Sequence, residues 1–339
     1  MMAFQKKSLN NSRKLKISVT GASGFVGKKL IQNLLKEGHS IKVLTRKKNR
    51  IFPKGIEVIK GDLSSPTSDL DNFLSGCDVL FNCAGEINNT HLMEKTHING
   101  TKNLLKTILD LASSSGKRIH WVQLSSVGVY GKVLSHPNKK RRVNEQSKIN
   151  PQGIYEITKA ESDKLIILAA EDGYFTFSIL RPSTIIGLGM PNKSFGRLIK
   201  NILGYNFFYI GYKNTISNYV HVDDVVEALM LCGKKEKAIN QIFNLSNDCK
   251  LSSIVKNIRN EIGKSVKILS IPEGLIRLII FFIPPFFHFP LNTRVVDVLV
   301  SRTYFDTVKI SNVLKFKPKV FIPKFSVDYM RAHFNKCKI

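Results

Sequence analysis

Acidic residues are scarce in this chain. Its 339 residues include 25 Asp and Glu against 52 Lys and Arg, so the formal net charge is +27 at pH 7. Such a surface favours polyanions: nucleic acid, an anionic membrane face or phosphorylated small molecules. The basic residues are scattered, however, and their short clusters lack interleaved aromatics and any recognisable nucleic-acid motif. We therefore expect a solvated, lysine-rich surface and no nucleic-acid partner.

Cysteine is also rare, and no two cysteines form a CxxC pair. Their number, five, is odd, which excludes a complete disulfide framework and indicates a reducing compartment. None of the eight histidines stands at a metal-ligand spacing from cysteine or carboxylate, so no metal site is predicted. Residues 1–14, expected to be an N-terminal tail, lack the apolar core of a signal peptide. We accordingly expect a cytoplasmic location.

A long uninterrupted apolar run is missing as well. The nearest one, residues 274–291, is interrupted by Arg277 and by Pro284-Pro285. It falls short of the roughly 18 apolar residues that a membrane-spanning helix needs. We expect a buried helix here, and the alternative is peripheral contact with an anionic membrane.

What the chain does have is a regular alternation of short apolar runs and helical segments. Strands are predicted at residues 15–19, 41–45, 56–59, 78–83, 119–124 and 175–180, and helices at 26–37, 67–75, 93–114 and 155–171. This order predicts an α/β fold with a Rossmann-type, doubly wound parallel sheet. After residue 182 the alternation fades. We therefore predict a dinucleotide-binding domain at 15–182 and a smaller mixed α/β lobe at 183–339 that binds substrate over the carboxyl edge of the sheet.

Three glycines separate the first predicted strand from the first predicted helix. Gly21 permits a tight turn, Gly24 lets the backbone approach a pyrophosphate, and Gly27 lets helix and strand pack closely. The helix start offers free N–H groups and a positive dipole end to phosphate. This GxxGxxG context predicts a dinucleotide site.

Tyr155 and Lys159 are four residues apart, so on a helix they point to one side. An isolated tyrosine has a pKa of about 10 and is a poor base at neutral pH. A cation held close favours the phenolate, so we expect Lys159 to lower the pKa of Tyr155. The phenol can then exchange a proton with an alcohol or a carbonyl.

The ordered motifs resemble those of the extended short-chain dehydrogenase/reductase superfamily, the NAD-dependent epimerases and dehydratases. Besides the glycine turn and YxxxK, the similar segments are 61–63 (GDL), 82–85 (NCAG), 99–105 (NGTKNLL), 124–131 (LSSVGVYG), 181–182 (RP) and 219–229 (YVHVDDVVEAL). The resemblance implies that Ser126 holds the reacting oxygen, Tyr155 moves the proton and Lys159 also bonds the nicotinamide ribose. The cofactor-binding residues it implies are Gly21, Gly24, Phe25, Val26, Gly27, Arg46, Asp62, Leu63, Ala84, Gly85, Asn99, Ser125, Tyr155, Lys159 and Pro182.

The second predicted strand ends in LTRKK, residues 44–48, without a carboxylate. An acidic residue there would bind the ribose 2′-hydroxyl and favour NAD. Arg46 is instead suited to a 2′-phosphate. We expect NADP or NAD as the cofactor, with NADP favoured.

The resemblance implies a nucleotide-sugar substrate and either 4-epimerisation or 4-keto reduction, in the synthesis of surface-polysaccharide precursors. The expected preference for NADP slightly favours 4-keto reduction over 4-epimerisation. Dehydratases of the superfamily usually carry Asp-Glu after the hydroxyl residue, whereas this chain has Val127-Gly128 after Ser126. Dehydration is therefore not expected.

One position departs from the nucleotide-sugar enzymes. Ser217 stands where they often carry an arginine that grips the diphosphate, and Lys193, Arg197 and Lys213 are the candidates to replace it. Two alternatives stay open. One is a carbonyl reductase for an apolar substrate, similar to hydroxysteroid dehydrogenases or flavonol reductases, and the other is a non-catalytic NAD(P)-binding regulator.

Asp223-Asp224 is an adjacent carboxylate pair, for which we expect a structural role. One of the two is predicted to cap a helix that begins near Val225, and His221 is expected to be packed or at the surface. The family resemblance also implies a homodimer through the long helices predicted at 93–114 and 155–171.

Overall fold

The computed structural model describes residues 14–47, 51–66, 68–131, 140–204, 207–211, 213, 215–263, 268–282 and 293–334. Residues 1–13 of the predicted tail and 283–291 of the apolar run lie outside this set. The strands are β1 Lys16–Thr20, β2 Ser40–Thr45, β3 Ile56–Lys60, β4 Val79–Asn82, β5 His120–Leu124, β6 Arg141–Val143, β7 Thr176–Pro182, β8 Thr184–Ile186, β9 Tyr209–Ile210, β10 Ile216–Ser217, β11 Tyr219–His221, β12 Gln241–Leu245, β13 Cys249–Lys250, β14 Ser270–Ile271 and β15 Thr303–Phe305.

The helices surround these strands along the whole described chain. They are α1 Phe25–Lys36, α2 Leu70–Leu74, α3 Thr90–Glu94, α4 Gly100–Ser115, α5 Ile154–Ala169, α6 Ser194–Leu203, α7 Val222–Lys234, α8 Leu251–Glu261, α9 Glu273–Phe282, α10 Thr293–Val300, α11 Val308–Leu314 and α12 Ile322–Phe334. None of the described helices is long and apolar enough to span a membrane.

A central sheet of seven parallel strands has the order β12-β7-β5-β4-β1-β2-β3. All four residues of β4 are buried, because helices cover both faces of the sheet. The chain builds one half of the sheet outward from β1 and the other half from β4. The crevice outside their carboxyl ends is thus the switch point at which open α/β sheets bind ligands. The predicted Rossmann-type fold is confirmed.

Two apolar layers enclose the sheet. One contains Leu30 of α1, Leu229 of α7 and Phe243 of β12, and the other contains Leu104 of α4 and Ile166 of α5. All five of these side chains are fully buried. The helices therefore hold the sheet rigidly, and the carboxyl ends of the strands keep a fixed spacing.

The seventh strand, β12, was not predicted from the sequence. It pairs in parallel with β7, so residues 241–245 return to the main sheet from the segment assigned to the second lobe. Helices α7 and α11 of that segment also pack against the sheet, and another part of it packs around a separate cluster that includes Phe195, Ile254 and Tyr329. The domain boundary at residue 182 stays a prediction. Strand β12 lies beyond that boundary in the sequence but belongs to the sheet of the first predicted domain.

The helix predicted at 93–114 is interrupted. A π-helical turn, Lys95–Asn99, separates α3 from α4. Such one-turn widenings often occur at functional sites, because the extra residue re-aims the side chains next to it. Here the turn contains the buried His97.

The predicted cap of the helix near Val225 is wrong. α7 begins earlier, at Val222, and His221 caps it by accepting a hydrogen bond from the Asp223 N–H at Nδ1, 3.3 Å away. Asp224 is buried and accepts from the Lys319 and Val320 N–H groups, while Asp223 pairs with Lys29. Both carboxylates are nevertheless structural.

The expectation of a buried helix in the apolar run is also wrong for most of α9. Ile276 is buried, but Phe281 and Phe282 are 80% and 71% exposed. The helix therefore presents an apolar surface outward.

Candidate active site

The glycine turn brings the ends of β1 and β4 into direct contact. Gly21 has φ +66°, and a Cβ there would lie 2.6 Å from the backbone of Cys83 and Ala84. A Cβ on Gly27 would lie 2.2 Å from the Gly21 carbonyl oxygen. Any side chain at either position would push α1 or β4 away, so both glycines are required by close approach.

The start of α1 is open on its outer side. Gly24 is the N-cap, no side chain caps the helix, and its first turn contains no acidic residue. A Cβ on Gly24 would meet only the Gly21 carbonyl within 4 Å, at 3.1 Å. The N–H groups of the first turn thus have no side-chain cap, the arrangement by which helix N-termini bind phosphate.

Ser126 and Tyr155 are brought together as predicted. The Ser126 hydroxyl hydrogen-bonds the Tyr155 phenol and accepts from the Gly128 N–H at 3.0 Å. Burial raises the pKa of Tyr155, and the charges of Asp163 and Glu156 add to this effect. The expected lowering of that pKa by Lys159 is therefore not found in this state. The phenol therefore keeps its proton at neutral pH.

Lys159 lies one turn further along α5, and only 4% of its surface is exposed. Its ammonium donates to the Leu124 carbonyl at 3.0 Å and lies 3.5 Å from the place a Cβ on Gly85 would occupy. Burial lowers the pKa of Lys159 to about 8, although the nearby Asp163 and Cys83 act in the opposite direction. A side chain at Gly85 would therefore lie directly against this ammonium.

His97 is a site residue that the sequence reasoning missed. Its Nε2 accepts from the Glu86 N–H at 3.0 Å, and its Nδ1 lies 2.8 Å from the Thr158 hydroxyl. Its ring meets Tyr155 edge to face, with 5.7 Å between centroids. Burial and the Lys159 charge lower the pKa of His97 to about 3, so the ring is neutral. The π-helical turn points His97 inward without changing the spacing of apolar residues along the predicted helix. This position could therefore not be predicted from the sequence.

A buried chain of polar side chains connects the glycine turn to α5. Thr20 donates to Asn82, whose amide donates to Gln123 Oε1 at 2.9 Å. Gln123 in turn donates to Ser162 at 3.3 Å, and Ser162 lies 2.8 Å from the Thr101 hydroxyl. These bonds hold the cofactor turn and the catalytic helix in one register.

A buried ion pair lies behind the catalytic residues. The Arg181 Nε–H donates to Asp163 Oδ2 at 3.0 Å, and both side chains are almost wholly buried, at 4% and 2% exposure. The same carboxylate oxygen accepts from the Ser125 hydroxyl at 2.8 Å. Arg181 also donates to the Tyr130 phenol at 2.9 Å. Ser125, predicted to contact the cofactor, thus directs its hydroxyl to Asp163.

The other predicted cofactor residues lie at strand ends along the same edge of the sheet. Arg46 is exposed just after β2, and Pro182 is buried at the end of β7. Asp62, after β3, accepts from the Ser64 N–H and hydroxyl. Leu63 packs against Gly100, and Asn99 is exposed at the end of the π-helical turn.

The residues considered for diphosphate binding lie in the second lobe. Ser217 is in β10 and pairs with Cys249. Lys193 and Arg197 are exposed at the start of α6, while the Lys213 ammonium lies 5.9 Å from the centre of the Tyr209 ring. Which of them contacts substrate stays open at this point.

Known proteins resemble this chain over most of its length. It is 26% identical over 316 residues to the UDP-glucose 4-epimerase of Vibrio cholerae, covering 89% of this chain and 90% of that protein. It is 26% identical over 258 residues to the decarboxylating sterol-4-alpha-carboxylate 3-dehydrogenase of Candida albicans, with coverages of 68% and 70%. The crystal structure of UDP-glucuronic acid 4-epimerase from Bacillus cereus, in complex with NAD, has a similar fold. Its TM-score is 0.71 at 20% identity, covering 96% of this chain and 99% of that one.

A sequence model of the NAD dependent epimerase/dehydratase family matches residues 17–246. This match includes the glycine turn, Ser126, Tyr155 and Lys159, and it extends over more than half of the chain. The protein therefore belongs to the NAD-dependent epimerase/dehydratase family of extended short-chain dehydrogenases/reductases.

Proposed function

We propose that this enzyme is a 4-epimerase of a nucleotide-linked hexose, which oxidises and re-reduces the sugar at C4. The observation that carries the proposal is the grouping of Ser126, Tyr155 and Lys159 beside Gly85 and the glycine turn. The likeness to the Vibrio cholerae UDP-glucose 4-epimerase supports the substrate class. Val127-Gly128 after Ser126 offers no carboxylate for dehydration.

The chain's own residues supply binding and proton transfer. A bound nicotinamide supplies the hydride acceptor and donor. The hydrogen-bonded hydroxyls of Ser126 and Tyr155 converge on one substrate oxygen, which Ser126 holds while Tyr155 takes or returns its proton. The buried Lys159 ammonium, which lies 3.5 Å from the place a Cβ on Gly85 would occupy, would bond the nicotinamide ribose.

The test of this proposal uses the purified full chain with UDP-glucose and UDP-N-acetylglucosamine, each with NAD or NADP. Conversion to the C4 epimer, followed by the anomeric NMR signals of the sugar, is the expected result. Stoichiometric consumption of NADPH by a 4-keto sugar, without epimerisation, would show a 4-keto reductase instead. Cofactor binding without turnover of any sugar would overturn the proposal.

A carbonyl reductase for an apolar substrate is the second candidate, favoured by two observations. Ser217 replaces the arginine expected to grip a diphosphate, and a sterol dehydrogenase is among the similar proteins. Oxidation of a 3β-hydroxysteroid with no reaction on either UDP-sugar would establish this candidate. We also consider a non-catalytic regulator, but the intact Ser126, Tyr155 and Lys159 favour an enzyme.

We propose that Arg46 gives the enzyme a preference for NADP over NAD. Arg46→Ala is expected to lower the ratio of kcat/KM for NADP to that for NAD about tenfold to a hundredfold, because a charge-assisted hydrogen bond to the 2′-phosphate is lost. Kinetic assays with both cofactors measure this ratio. Arg142→Ala, which removes another exposed arginine, is the matched control. A wild-type preference for NAD would contradict the proposal.

The lowered pKa of Lys159 predicts an alkaline limit to activity. As the pH rises through about 8, the buried ammonium loses its proton, the positive charge proposed to hold the nicotinamide ribose is lost, and kcat/KM should fall. Lys159→Arg keeps the positive charge and should remove this limb, even if the maximal rate is lower. Lys164→Arg, an exposed position on the same helix, should leave the limb in place. A wild-type profile that stays flat to pH 10 would exclude this role.

We further propose a cytoplasmic homodimer. The described cysteines, Cys77, Cys83, Cys232 and Cys249, are free thiols, as in a reducing compartment. Three apolar residues of α5, Ile154, Ile157 and Leu168, are about half exposed, which supports pairing of this helix with a second copy. Sedimentation equilibrium of the wild type tests the oligomeric state.

A further inference from the structure

The α9–α10 pair carries an outward face made of apolar side chains. On α9 it consists of Leu275, Leu278, Ile279, Phe281 and Phe282, and on α10 it includes Val295 and Val298, exposed by between 36% and 80%. Leu269, just before β14, is 75% exposed. These eight make up almost half of the nineteen large apolar side chains that are exposed in the described part of the chain. A concentration of this kind marks an interaction surface.

The periodicity of α9 shows that this exposure is systematic. Leu275, Leu278, Ile279 and Phe282 follow the i, i+3, i+4, i+7 spacing of one helical face, which here points away from the protein. The opposite face packs Ile276 against Val296 and Val300 of α10. A helix that is apolar on both faces needs a second apolar environment besides its own protein core.

The charged side chains described on α9 lie off this face. Arg277 donates to Glu273 at 2.8 Å and to Asp297 at 2.8 Å, so it joins the two helices to each other. With Arg277 and Glu273 paired, α9 has no carboxylate on its outward stripe that would repel an anionic surface.

Basic residues stand at both ends of the pair. Exposed Lys213 follows Gly211, which lies against Glu273 at the start of α9. Lys250, which is exposed, is paired with Ile216 between β13 and β10. The Ile216 N–H donates to the carbonyl of Ser301, the residue that follows α10, so Lys250 lies near that end of the pair. Since the whole chain carries a net charge of +27, an anionic bilayer would attract it.

We propose that the outward face of α9 and α10 inserts shallowly into the headgroup region of an anionic membrane and holds the enzyme there as a peripheral protein. Apolar burial provides the insertion and the basic surface provides the attraction, the combination that gives interfacial helices their affinity. The pair is connected to the segment that follows Ser126: β15 follows α10 and pairs with β6, whose Arg141 donates to the Tyr130 carbonyl.

Co-sedimentation with lipid vesicles tests the proposal on the full chain without depending on its catalytic activity. The wild type is expected to bind vesicles of phosphatidylcholine with phosphatidylglycerol, to bind pure phosphatidylcholine weakly, and to be released as salt is raised. Leu278→Glu/Phe281→Glu should lower the partition coefficient at least about tenfold. The control Ile51→Glu/Phe321→Glu makes the same charge change at two other exposed apolar residues and should bind like the wild type.

Four results would overturn the proposal. They are no binding to the anionic vesicles, equal binding to neutral ones, unchanged binding by the Leu278→Glu/Phe281→Glu variant, and a dimer that this variant dissociates without any vesicle binding. If that variant does not fold, Phe281→Trp replaces it. Its emission should shift to the blue on adding anionic vesicles, against the constant background of the single buried Trp121. No shift would equally count against membrane insertion.

Discussion

Replacing Tyr155 with phenylalanine is expected to lower turnover of a UDP-hexose between about a hundredfold and ten-thousandfold, the usual contribution of general acid–base catalysis. The substitution removes one hydroxyl and leaves the ring, which packs edge to face against His97. The neutral His97 accepts from the Glu86 N–H and cannot replace the lost proton donor. Affinity for the nicotinamide cofactor should change little, because the glycine turn and Lys159 are untouched.

The measurements are steady-state turnover and a fluorescence titration with NADH on the same preparations. Tyr174→Phe, which alters a half-exposed tyrosine just beyond α5, is the matched control and should behave like the wild type. If Tyr155→Phe retained more than a tenth of wild-type turnover, the proton would have to move through another group, and the assigned role of this residue would be lost.

Removing Arg181 is expected to produce the largest loss of stability. Arg181→Met leaves the Asp163 carboxylate buried beside only the Ser125 hydroxyl, and breaking such a pair costs about 3–5 kcal/mol of unfolding free energy. Tyr130 also loses a donor to its phenol. Urea denaturation of the cofactor-free chain, followed by circular dichroism, measures the change.

A double variant separates the buried charge from the side-chain packing. Asp163→Leu/Arg181→Met removes both charges and should recover part of the lost stability, since apolar pairs often replace buried ion pairs at little cost. The exposed pair between Lys319 and Glu227 is the control, and Glu227→Gln should cost at most about 1 kcal/mol. A loss below about 1 kcal/mol in Arg181→Met would mean that water or another donor compensates Asp163.

Much of the central sheet could be predicted from the sequence because its strands are short, apolar and regularly spaced. The six predicted strands of the sheet lie within two residues of β1, β2, β3, β4, β5 and β7. Strand β12 was missed because QIFNL lies after residue 182, in the segment where the regular alternation of strands and helices fades and a separate lobe was predicted. Its place beside β7 depends on a connection through the whole segment from residue 183 to 240.

Those parts of the candidate site that local geometry defines could be predicted from the sequence. Gly27 is specified by steric contact with Gly21 and Ala22, a few residues away. The four-residue spacing of Tyr155 and Lys159 places both on one side of α5. The pKa of Tyr155 could not be predicted in this way. Lys159 was expected to lower the pKa of Tyr155, yet burial raises it, and burial is a property of the assembled fold.

The outer face of α9 illustrates the same limit on the surface. An apolar run in the sequence is ambiguous between a core helix and an interfacial one, since both need the same residue types. Only the packing of α9 against α10 shows that Ile276 is covered while Leu278 and Phe281 are not.

The hydrophobic period of the amino-acid sequence by itself determined the parallel sheet, and its ordered motifs indicated the family, the glycine turn and the candidate proton-transfer residues. The tertiary structure decided the rest: the inward turn of His97, the ion pair between Asp163 and Arg181, and the exposure of α9. These features depend on residues that are far apart in the chain. The packing of the helices on the sheet brings those residues together, and no local sequence pattern predicts it.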